Sequence, residues 1–97
     1  PAGIAANQQH SDSVELTARI EQVIAWIAEV FDTHPDTALA DFRRWIVESG
    51  LPGLSSLGVT EAHIVATAKS AASSSSMKAN PVALSAATVE LVMRQSL

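Results

Sequence analysis

Three histidines, His10, His34 and His63, are the residues of this 97-residue chain best suited to bind a metal. None has a second histidine or a carboxylate three or four residues away, the spacing that sets two ligands on one helical face. His10 lies in a polar stretch, His34 precedes a proline and His63 stands where a helix opens, so surface and turn roles are expected of all three. Asp32 with Asp36, or Asp36 with Asp41, would be the carboxylate pair for acid–base work, but acids gathered at a helix start are what capping and the helix dipole already favour. Ser55 and Ser56 sit in Gly53-Leu54-Ser55-Ser56-Leu57-Gly58, one residue out of register with a nucleophile elbow and without the strand that must precede one. No glycine-rich phosphate loop occurs, and Arg43-Arg44 is not interleaved with stacking aromatics, so it reads as a solvated helix edge.

The bulk composition narrows the classes further. Net charge is −4 with only six basic residues, which gives no electrostatic reason to approach nucleic acid. Cysteine is absent, removing disulfides, thiolate metal sites and cysteine nucleophiles together. No run approaches the roughly 20 apolar residues of a bilayer span, and Val23 to Ala28 is interrupted by Glu29. The opening Pro-Ala-Gly does not have the form of a signal peptide, so a soluble, cytoplasmic protein with no membrane partner is expected. Much of the hydrophobic 47% is alanine and aromatics make up only 4%. At roughly 0.8 kcal/mol per buried methylene, alanine in place of larger aliphatics leaves a thin core that neighbouring protein surface would restore. This composition suggests part of a larger assembly.

The elements that must position any site are helical. Leu16, Ile20, Val23, Ile24, Ile27, Val30 and Phe31 recur on a 3.6-residue period and predict one amphipathic helix, with Asp12 and Glu15 as its capping start. Pro35 ends that helix and suits the first turn of the next, whose stripe is Leu39, Phe42 and Ile46 and whose C-terminal glycine is Gly50. Leu54 to Leu57 predicts one short turn closed by Gly58, Thr60 caps a helix through Ile64, Val65, Ala68 and Ala72, and Ser85 caps a last helix. In that last helix Val89, Val92, Met93 and Ser96 share a face and Glu90 and Arg94 pair on another. Residues 1–12 predict an irregular surface lead-in, and residues 73–84, with four serines and Asn80-Pro81, an extended or irregular segment. No strand alternation competes, so the class is all-α, about four to five short helices, in one helical domain over 13–97.

The ordered set Ser49-Gly50-Leu51-Pro52, Leu54, Leu57-Gly58-Val59-Thr60-Glu61, Ile64, an alanine-rich helix, Asn80-Pro81 and the Ser85-capped helix resembles the C-terminus of iron-containing alcohol dehydrogenases and maleylacetate reductases. The likeness covers about residues 36–97, while residues 1–35 match weakly. It implies the C-terminal part of the helical domain of a dehydroquinate-synthase-like fold, in an enzyme that uses NAD or NADP and a divalent metal, iron or zinc, bound by one Asp and three His. Those ligands precede the matching stretch in the family, and His10, His34 and His63 match none of them. The resemblance therefore implies no catalytic, cofactor-binding or metal-binding residue here, and makes the dinucleotide-binding and metal-binding polypeptide of the same enzyme the expected partner, with a homodimer possible.

One segment would border substrate by the same resemblance. The stretch before the Asn-Pro turn lines the cleft in similar enzymes, which makes Ser76, Met77 and Lys78 the substrate-cleft candidates, Met77 as a soft apolar wall and Ser76 as a hydroxyl. The competing expectation is a solvent-exposed loop. A free-standing helical interaction module that buries its stripes against a partner or a second copy is the alternative from another class.

Overall fold

The computed structural model describes all residues, Pro1–Leu97, and contains helices and no strand. The chain forms two compact units, Gly3–Leu51 with Pro1 and Pro52–Leu97 with Ala2. No helix is long and apolar enough to cross a membrane.

The first unit holds α1 (Ala2–His10), α2 (Val14–Phe31) and α3 (Pro35–Glu48), with α2 and α3 packed on each other. Helix α1 forms where the lack of periodicity predicts an irregular lead-in. Its alanines and glutamines are adequate helix formers without any apolar stripe, so propensity prevails where pattern is silent. The start of α2 is capped by Ser13, whose hydroxyl accepts from the Leu16 amide, and not by Asp12. Ser13 wins because its backbone is extended there while its side chain reaches the amide three residues on.

Helix α2 ends at Asp32, the one non-glycine residue with positive φ, at 50°. Its amide and that of Thr33 both return to the last turn of α2, closing the helix with a left-handed cap. Helix α3 then starts at Pro35, whose missing amide costs nothing in a first turn, and His34 caps it by accepting the Asp36 amide on Nδ1. Gly50, at φ 74°, follows the last turn of α3. The buried side chains of this unit are Ala6, Ile20, Ile24, Ala28 and Ala38, so three of five are alanine and helix α2 can approach α3 closely.

The second unit opens with a single 3₁₀ turn, Leu54–Leu57, closed by Gly58 at φ 87°, as the glycine spacing predicts. It continues with α4 (Glu61–Ala72), α5 (Ser75–Lys78) and α6 (Ala86–Arg94), and α4 packs on both α5 and α6. Ile64 is fully buried and is joined by Ala68, Val82 and Val89. The backbone at Leu97 lies against Gly53: the Leu54 amide donates to Ser96 O at 2.9 Å and the Ser55 hydroxyl to Leu97 O at 2.9 Å. A β-carbon at Gly53 would stand 2.3 Å from Leu97 O, so glycine is required by close approach and not by φ.

The serine run does not remain irregular. Ser73 follows the end of α4, its hydroxyl donating to Ser70 O, and Ser74 caps α5 by accepting the Met77 amide. The irregular stretch expected over 73–84 is therefore interrupted by one helical turn at Ser75–Lys78, because serine hydroxyls satisfy exactly those backbone groups that helix ends leave unpaired.

Candidate functional site

The three cleft candidates share α5. Ser76 and Lys78 are exposed and Met77 is half-buried. They are followed by Asn80, whose side-chain amide donates to Val82 O at 2.7 Å and so fixes the Asn-Pro turn. Residues 76 to 78 thus stand together on a capped turn of helix, with Met77 the member directed toward the packed interior.

The histidines are placed apart and two have structural work. His34 Nδ1 caps α3 and lies 3.4 Å from the Asp36 carboxylate. His63 completes a capping box at the start of α4: its Nδ1 accepts the Thr60 amide, and the Thr60 side chain serves the amide of His63. His10 ends α1. No group of three His, Cys, Asp or Glu residues is placed to hold a metal ion.

Asp41 is held in a web of hydrogen bonds at the turn between α2 and α3. The Thr33 hydroxyl donates to its Oδ2 at 2.6 Å, which stabilises the carboxylate more than its partial desolvation opposes it. The Arg44 guanidinium adds its charge and a charge-assisted hydrogen bond, the Thr37 hydroxyl contributes least, and with Thr33 they hold Asp41 below the ordinary aspartate range. Thr33, Thr37 and Asp41 thereby clasp the turn between α2 and α3. Asp32 and Asp36 do not join this cluster as an acid–base pair; both are exposed. In the second unit Arg94 is raised by Glu61, with help from Glu90, in an ion-paired network linking α6 to the start of α4.

A concave apolar surface lies on α2 and α3, lined by none of the histidines, acids and serines considered from the sequence. Val23, Trp26, Ile27, Val30, Phe31, Phe42 and Trp45 line an open groove of 610 Å³ between α2 and α3. All four aromatic residues of the chain lie on it. Phe31, Phe42 and Trp45 are mutual neighbours, with ring centroids 5.8 to 6.2 Å apart, and Trp26 and Trp45 remain 57% and 50% exposed. The predicted stripe of α2 is therefore divided. Ile20 and Ile24 are buried, whereas Val23 and Val30, placed in the same stripe, are exposed, Val30 at 79%; Ala28, outside the predicted stripe, is buried. A signal for the groove is present in the sequence: Val23, Trp26, Ile27 and Val30 fall at i, i+3, i+4 and i+7, a second seam beside the first.

At Phe31 and Trp45 the groove adjoins a polar depression of 300 Å³ lined also by Asp32, Thr33, Asp41, Arg44 and Glu48. Arg44 is engaged by Asp41, while Asp32 and Glu48 form no ion pair. Chemically this surface offers apolar contact and negative charge, with no nucleophile or general base aimed into the groove. Comparison with protein-family models, curated proteins and solved structures gives no match for the chain.

Proposed function

We propose that these helices are the C-terminal helical scaffold of an NAD(P)-dependent alcohol or aldehyde oxidoreductase similar to the iron-containing alcohol dehydrogenases, of dehydroquinate-synthase-like fold. The single observation that carries the reading is the aromatic face of α2 and α3, left open with Trp26 and Trp45 half-exposed beside a core that is largely alanine. Completing the burial of a half-exposed tryptophan is worth about 2 kcal/mol, so two of them with Val30 favour a neighbouring surface strongly. The ordered Gly-Leu-Pro, Leu-Gly-Val, Asn-Pro and Ser-capped segments support the family named. Gly58 at positive φ and the Ser85 cap on the Thr88 amide give two of them a definite local role.

In this reading the chain positions and excludes water, and the reaction belongs to other polypeptide. In such an enzyme a bound nicotinamide would supply hydride chemistry and a divalent metal, iron or zinc, would supply polarisation of the oxygen, each held by the dinucleotide-binding and metal-binding polypeptide and by no residue of this chain. Met77, with Ser76 and Lys78 beside it on α5, is the segment assigned to the substrate side. A maleylacetate reductase differs only in substrate and metal requirement. The second reading, a helical interaction module, draws on the same open groove and on the fact that most of the helices are closed by caps within the chain.

The test is co-expression with the dinucleotide-binding and metal-binding polypeptide of an iron-containing alcohol dehydrogenase. Co-purification with NAD(P)-linked alcohol oxidation that requires this chain is expected. A chain that stays apart while forming a stable, specific oligomer of its own supports the interaction module instead.

A further inference from the structure

The open groove also carries information about the shape and charge of what fills it. Its floor runs along α2 from Val23 to Phe31, about 12 Å at 1.5 Å per residue, with Phe42 and Trp45 of α3 as the opposite wall. A trough between two packed helices accepts the apolar stripe of a third helix, read as anchors at i, i+3, i+4 and i+7. No strand edge is present on which an extended segment would add, since every element is helical.

The two ends of the trough differ in charge. At the Phe31 and Trp45 end stand Asp32 and Glu48, both exposed and without an ion-pair partner. Toward the start of α2, the face that carries Val23 bears Arg19 four residues earlier, already paired with Glu15 at 2.8 Å. Across residues 1–51 there are eight acidic residues against three arginines. A second copy is therefore a poor occupant on charge: its own face is strongly acidic, and of its three arginines Arg19 is held by Glu15 and Arg44 by Asp41, leaving Arg43 alone to meet the acids.

We propose that the α2–α3 groove receives an amphipathic helix of another polypeptide segment whose lysine or arginine side chains lie at the end seated beside Asp32 and Glu48. The proposal deepens the functional reading by naming the chemistry of the docking segment, and it rests on that reading only for which polypeptide supplies the helix. Apolar contact with Trp26, Val30 and Trp45 supplies affinity, and the two free carboxylates set the direction in which the helix lies.

The experiment uses the full chain and two synthetic probes, Leu/Ala amphipathic helices of about 18 residues, one ending in lysines and one ending in glutamates. Trp26 and Trp45 are the only tryptophans and both face the groove, so occupancy is read as a blue shift of intrinsic emission. The lysine-ended probe is expected to bind roughly fivefold more tightly at low salt, with the preference falling as salt is added. The double variant Asp32→Asn, Glu48→Gln is expected to bind both probes alike, its fold checked by far-ultraviolet circular dichroism. Equal binding of the two probes to the unaltered chain at low salt overturns the proposal, as does a blue shift that appears with protein concentration alone, which would identify a second copy as the occupant. Absence of any emission change with either probe also overturns it. None of these outcomes involves nucleotide or alcohol, so a failure here is separate from a failure to co-purify with a dinucleotide-binding partner.

Discussion

The α2–α3 unit and the α4–α6 unit are built from similar lengths of chain but finish their surfaces differently. Residues 1–51 hold every aromatic residue and eight of the ten acids, whereas residues 52–97 hold nine of the twelve serines and three basic residues against two acids. The second unit buries Ile64 completely and ties its start to its end through Gly53, Leu54 and Ser55. The first buries mostly alanine and leaves its largest side chains at the surface. The difference teaches that size of side chain and depth of burial are decoupled here: the aromatic groups of the first unit line the groove while alanines fill much of its core, and the second unit buries Ile64 wholly yet leaves Leu57 and Leu91 more than half exposed.

The largest effect is expected where that core is single-handed. Ile64→Ala removes the one large fully buried side chain and is expected to cost about 2–5 kcal/mol, read as early loss of helicity from the second unit in a urea melt. Trp45→Ala, a larger truncation by volume, is expected to cost only about 1 kcal/mol, the worth of its contacts with Phe31 and Phe42. Equal losses would erase the contrast between the units.

Gly53→Ala comes next. Its new methyl meets the backbone of Leu97, which has no flexible side chain to yield, so a loss of about 1–3 kcal/mol is expected in the second unit alone. Hydrogen exchange at the Leu54 amide, which donates to Ser96 O, is the local measurement, with faster exchange the expected result.

Acid should separate the units in the opposite sense. Asp41 is held below its ordinary value in the folded chain, so its contribution is full at pH above the ordinary aspartate range and is lost as pH falls through the lowered value. Stability of the α2–α3 turn is expected to fall over that interval, and Asp41→Asn to flatten the acid limb of the melt curve. The smallest folding effect is expected from Val30→Lys. At 79% exposed, its replacement should change stability by no more than about 0.5 kcal/mol while weakening whatever docks on the groove, measured by titration of the lysine-ended probe.

What was legible in the sequence follows the same division. The turns and most caps could be read because their chemistry is local: Pro35 at a first helical turn, Gly50 and Gly58 at positive φ, Thr60 and Ser85 before their helices. Helix α1 could not be read from periodicity because it has no apolar stripe, and α5 was hidden because a serine run signals both a break and a cap. The division of the α2 stripe into Ile20 and Ile24 inside and Val23 and Val30 outside depends on where α3 lands, which no periodicity in α2 contains. Trp26 does carry a periodic signal, the seam it shares with Val23, Ile27 and Val30, whereas Trp45 joins the groove only because of where α3 lands. The cleft candidates Ser76, Met77 and Lys78 came from resemblance to a family, and their local structure supplies a capped turn without a reacting partner.

The proposals for α2 and α3 turn on an aromatic face that stands open, with Trp26 and Trp45 half-exposed. Acrylamide quenching of Trp26 and Trp45 in the isolated chain, at concentrations where sedimentation shows a monomer, tests it most directly. Efficient quenching and red-shifted emission are predicted, whereas blue-shifted, quencher-protected emission from a monomer would show the face already covered and contradict the account.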